Sequence, residues 1–128
     1  MGLDFHTEGI PYEEDIPFEH RAHWSYSGFH KFRERLAQTI SLEHWTHKPL
    51  CSLLIDSNHN PLCILLAHSD CDGILTPTEC EVVGKALASA VWDWEPKDDY
   101  DRINAIKLAA HMHHCACNGR NLAQLARF

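Results

Sequence analysis

The residues best suited to chemistry lie in the stretch 68–79, where His68, Asp70 and Asp72 alternate ahead of Gly73 and Glu79 closes the run. Side chains at alternate positions of a tight loop converge on one point, so this set could surround a divalent cation. Ile74, through its carbonyl, and Thr76 would complete the ring. The acids suit calcium, whereas a neutral nitrogen at His68 suits zinc or another transition metal. A second metal candidate is His111, His114 and Cys115, whose spacing lets pairs of them meet on adjacent turns of a helix. Closing a zinc shell there needs further ligands, such as Cys63, Cys80 or His68. Partly buried helix histidines with core thiols are the alternative.

The loop also has a purely structural reading. Thr76, Pro77 and Glu79 write a capping box with Pro in the first helical position, and Asp70, Asp72 and Gly73 are then turn formers ahead of that helix. Both readings require a turn at Gly73 and a helix from Pro77. With Gly73 in the sixth place, residues 68–79 resemble an EF-hand calcium loop carrying His68 where that pattern has Asp. The resemblance implies a helix–loop–helix unit and bound calcium or zinc. The apolar run 61–67 followed by His-x-Asp-x-Asp-Gly is also similar to the first motif of the DHH phosphoesterases, which implies manganese held by the aspartates. This chain lacks the Asp-His-His sequence and is too short for that family's two lobes.

Residues 25–36 and 62–121 resemble a group of small bacterial and phage proteins of unassigned function that carry a His-Ser-Asp-Cys-(Asp/Glu)-Gly loop. The matching core here is Pro61-Leu-Cys-Ile-Leu-Leu-Ala-His-Ser-Asp-Cys-Asp-Gly-Ile-Leu-Thr-Pro-Thr-Glu-Cys80. That likeness implies a helical single domain and a partner-directed role, such as an inhibitor or immunity protein.

A chain of 128 residues fits one domain with one core. Its formal charge of -7 argues against nonspecific affinity for nucleic acid and leaves open an acidic face aimed at a basic protein partner. No apolar run approaches a membrane span, and the N-terminus lacks a basic region followed by an apolar one, so the expected location is the cytoplasm. In that reducing compartment the six cysteines are core thiols or metal ligands.

Residues 1–24 read as an extended acidic arm, interrupted by Gly9, Pro11 and Pro17 and presenting Glu13, Glu14, Asp15 and Glu19 to a partner. Residues 25–128 read as a helical domain. A first helix follows Ser27 with Phe29, Phe32, Leu36 and Ile40 as its apolar stripe, leaving Lys31, Arg33, Glu34 and Arg35 toward solvent. The run 61–67 is favoured as a helix opened by Pro61, while Leu50–Ile55 keeps a strand alternative alive. Long helices follow from Pro77 to about Trp94, with Gly84 at a tight crossing, and from Tyr100 to Asn118, stopped by Gly119. The tail after Asn121 clips back through Leu122, Leu125 and Phe128. The sum is an all-α bundle with an EF-hand-like helix–loop–helix.

The function expected from these features is a small acidic protein-interaction module, binding through the arm or through an exposed aromatic surface. The alternative is a metal-dependent hydrolase built on His68, Asp70, Asp72 and Glu79, which would need an open coordination position beside a general base. No Ser-His-Asp or Cys-His set stands out, and no catalytic residue is assigned.

Overall fold

The computed structural model of the chain describes residues 2–11, 14–40, 60–66 and 73–127. Leu3, Phe5 and Thr7 are buried while Asp4 and His6 between them are half-buried, the period-two pattern of a strand with one face on a core. That strand, β1 (Gly2–Thr7), pairs antiparallel with β2 (His23–Trp24), Leu3 opposite Trp24. Its other edge pairs antiparallel with β4 (Leu122–Arg127), from Gly2 opposite Arg127 to Thr7 opposite Leu122. The short β3 (Ile74–Leu75) adds to the far side of β4, giving a four-stranded sheet in the order β2-β1-β4-β3.

The all-α expectation is therefore overturned: the fold is mixed, with helices packed on an antiparallel sheet. The segment read as an arm and the segment read as a clipping tail are the two central strands. Each closes the other's backbone hydrogen bonds, so the two ends of the chain hold the sheet together.

Helix α1 (Tyr26–Thr39) starts at Ser25 rather than Ser27, the Ser25 hydroxyl accepting the Gly28 amide at 3.0 Å. Its Phe29, Phe32 and Leu36 are buried as the spacing predicts. Phe32 stacks on Trp24 at 4.7 Å between centroids, and Phe29 meets Phe5 edge-on at 6.1 Å, which seats α1 on the sheet. Arg33, expected in solvent, is buried over the Phe29 ring, with its guanidinium 3.4 Å from the Leu66 carbonyl. Leu66 ends α2 (Leu62–Leu66), the helix that Pro61 announces; the run 50–55 lies outside the described residues.

Helices α3 (Pro77–Val91) and α4 (Tyr100–Cys117) run antiparallel against each other. A Cβ on Gly84 would sit 3.2 Å from Met112 Cβ and 3.4 Å from the Ala109 carbonyl, so the absence of a side chain there sets how closely the helices cross. Asp99 caps α4 by accepting the Arg102 amide at 3.0 Å and also takes the Arg35 guanidinium at 2.7 Å. Arg35 holds the Asp99 carboxyl below its ordinary value despite the opposing effect of burial. At the other end Gly119 adopts φ +61, and the Arg120 amide returns to the Cys115 carbonyl at 2.9 Å, a Schellman turn that aims the chain into β4. Among the described residues no helix is long and apolar enough to cross a membrane.

Candidate functional site

Of the loop candidates, His68, Asp70 and Asp72 lie outside the described residues. Ile74 is exposed in β3 opposite Ala123, and Leu75 beside it is buried. Thr76 and Glu79 form the reciprocal capping box: the Thr76 hydroxyl accepts the Glu79 amide at 3.2 Å, and Glu79 Oε1 accepts the Thr76 amide at 2.9 Å. The helix start at Pro77, required by both readings of the loop, is present, whereas the residues leading into the expected turn at Gly73 lie outside the described residues.

The second set does not converge. His111 and Cys115 point into the core, whereas His114 is half-buried and stays by Asn118, whose side-chain amide lies 3.5 Å from its Nδ1. On the outer side, Cys117 approaches His113 Nε2 at 3.5 Å. Among the described residues no group of three or more His, Cys, Asp or Glu side chains is placed to hold a metal ion.

His111 instead joins a buried polar cluster at the end of β1. Asp15, counted in sequence among the outward acids, has a side chain only 1% exposed. Its Oδ2 accepts the Thr7 amide at 2.8 Å, and its Oδ1 accepts the Thr7 hydroxyl at 2.7 Å and the Ile16 amide at 2.8 Å. Arg21 stands 4.0 Å away and donates to the Ile16 carbonyl. Burial alone would raise the Asp15 carboxyl, but the Thr7 hydroxyl and amide, the Ile16 amide and nearby His111 hold it below its ordinary value.

Proton count fixes the rest. Thr7 spends its one hydroxyl proton on Asp15, so His111 Nε2, 2.9 Å from Thr7 Oγ1, carries hydrogen and donates to it. His111 Nδ1 is fully buried and without a hydrogen-bond partner among the described residues. The Cys115 thiol also reaches Thr7 Oγ1, at 3.7 Å. The Cys80 thiol is the chief influence drawing Cys115 below its ordinary value, with help from His111 and Thr7 and against burial; Cys80 is pushed up in return, so the pair behaves as one acid and one donor.

Of the acidic arm, Glu14 and Glu19 are exposed, and Glu13 lies outside the described residues. Among the described residues, the exposed aromatic side chains lie elsewhere, on either side of the turn between α3 and α4, with Ile103 one helical turn beyond Tyr100. Trp92 is 61% exposed, Tyr100 57% and Ile103 38%. This corner is fixed: Arg102 donates to the Trp92 carbonyl through Nε at 3.3 Å and a terminal nitrogen at 3.2 Å while lying over the indole, and Tyr100 donates to the His23 carbonyl at 2.6 Å. Exposed Asp93, Glu95 and Asp98 lie in the same turn, together with Lys97, which pairs with Glu95 and donates to the Trp92 carbonyl at 3.1 Å. Sequence reasoning missed the corner because Trp92 falls within an apolar helical pattern, and only the end of α3 at Val91 releases it.

No protein-family model, curated protein or solved structure matches this chain.

Proposed function

We propose that the protein is a small interaction module that docks a basic protein partner on the Trp92–Ile103 corner, within the cytoplasm. The observation that carries this reading is the pairing of two exposed aromatic rings, Trp92 and Tyr100, with a backbone already locked by Arg102 and Asp99. Rigid Trp and Tyr side chains beside Arg are the composition of binding hot spots, because they give large contact area for little loss of freedom. The acidic rim at Asp93, Glu95 and Asp98 and the net charge of -7 select a basic surface and speed its encounter. An inhibitor or immunity protein is the form of such a module that the loop resemblance implies. The Glu14–Glu19 stretch serves as a secondary charged rim, with Asp15 excluded by its inward hydrogen bonds.

The test is a photo-crosslinking scan in native cells, with a benzophenone amino acid placed in turn at Trp92, Tyr100 and Ile103, and at Glu81 and Lys85 as controls on α3. The expected result is one defined adduct from the corner positions and none from the controls. Equal yields at both sets, or no adduct at the corner, would refute the reading.

A further inference from the structure

We infer that Cys80 and Cys115 form a peroxide-oxidisable dithiol that closes into a disulfide between α3 and α4. The geometry comes from three independent contacts. The Cys80 sulfur lies 3.8 Å from the Leu75 carbonyl, and Leu75 pairs with Leu122. The Cys115 sulfur lies 3.7 Å from Thr7 Oγ1 and 3.9 Å from the Asn121 carbonyl, and Thr7 pairs with the same Leu122. Both sulfurs therefore contact the residues that flank Leu122 across the sheet, and each thiol is the chief influence on the other. Helix register agrees: Gly84 faces Ala109 and Met112, so one turn back along α3 brings Cys80 level with Cys115 on the antiparallel α4. The close crossing at Gly84 draws the two backbones toward the short separation that a disulfide requires.

Access is through a surface groove of about 340 Å³ between α3 and α4, lined by Gly84, Ala88, Ile106 and Ala110 with Cys80 among its walls. Hydrogen peroxide is small enough to enter it as far as Cys80, and the fully buried Cys115 is reached past that side chain. The Cys115 thiolate, favoured by the Cys80 proton, attacks one peroxide oxygen; the S–O bond forms, the O–O bond breaks and hydroxide leaves. The Cys80 sulfur then attacks the sulfenic sulfur, the S–S bond forms, and the sulfenic oxygen departs as water with the Cys80 proton. Two electrons pass from the two sulfurs to peroxide, and the proton first lost by Cys115 converts hydroxide to a second water. Oxidation also changes the sulfur that lies 3.7 Å from Thr7 Oγ1, which couples the thiol state to the Asp15–Thr7–His111 cluster.

The test treats the full chain with stoichiometric hydrogen peroxide, blocks remaining thiols with a maleimide under denaturing conditions, and maps linked peptides by mass spectrometry. The expected product loses two titratable thiols and contains a Cys80–Cys115 linked peptide, formed equally in Cys117→Ser, which removes the exposed thiol. Dimedone should label Cys115 in Cys80→Ser, where no resolving thiol remains. The inference is overturned if both thiols stay free when Cys117 is fully oxidised, or if either pairs with a different cysteine. Peptide mapping of the unsubstituted chain decides the matter even where Cys80→Ser does not fold.

Discussion

The Asp15 carboxylate holds Thr7 by both its amide and its hydroxyl, at 2.8 and 2.7 Å, and so ties the loop after β1 back onto the last residue of that strand. Thr7 in turn takes hydrogen from His111 on α4, and the sheet, the loop and α4 share one buried junction. Removing the carboxylate leaves two Thr7 donors and the half-buried Ile16 amide without an acceptor. Asp15→Ala is expected to cost about 3 kcal/mol of unfolding free energy, measured by urea denaturation at pH 7. A cost within error of zero would mean that the junction adds nothing.

The same residue shapes the acid limb. Because the folded state depresses the Asp15 carboxyl, its stabilisation is complete above the unfolded value near 3.8 and drains away as pH falls through the lower folded value. Asp15→Asn should therefore flatten the loss of melting temperature over that acid window. A residual slope should remain from Asp99, which is depressed in the same direction by Arg35.

Gly84→Ala sets two effects against each other. Helix propensity favours Ala by about 1 kcal/mol. The new methyl must fit 3.2 Å from Met112 Cβ and 3.4 Å from the Ala109 carbonyl, and both atoms are fixed by the backbone of α4. Overpacking wins, and the variant should be less stable by about 1 kcal/mol in chemical denaturation. A stabilised variant would show that the helices can part at no cost.

Thr76→Ala tests the capping box on its own. Loss of the hydroxyl that accepts the Glu79 amide should cost about 1 kcal/mol, equally in EDTA and in calcium or zinc. A cost seen only with added metal would instead assign Glu79 to ion binding.

Much of this fold was legible in the chain, but not its sheet. The Phe29, Phe32, Leu36 stripe, the Thr76 cap, the small-residue crossing at Gly84 and the stop at Gly119 are local signals, and each sits where its spacing placed it. The central strands are not local. Leu3 and Phe5 alternate over too few residues to stand out among the acids and prolines that follow, and Leu122-Ala-Gln-Leu-Ala-Arg127 is made of helix formers. Only pairing across nearly the whole chain makes either a strand, and neither sequence announces its partner. His111 and Cys115 were readable as neighbours on one helix face; that Thr7, rather than a metal, would meet them there depended on the strand. Asp15 looked like its exposed acidic neighbours because its burial follows from partners elsewhere in the fold, Thr7 and His111 above all.

The most direct measurement of the docking face is calorimetric titration of the crosslinked partner against Trp92→Ala and Tyr100→Ala. Each should bind roughly 30-fold more weakly, a loss of about 2 kcal/mol, with only a small fall in melting temperature from the lost Tyr100 bond to the His23 carbonyl and the lost Arg102 contact with Trp92. Binding by the double variant at the affinity of the unsubstituted protein would contradict the account.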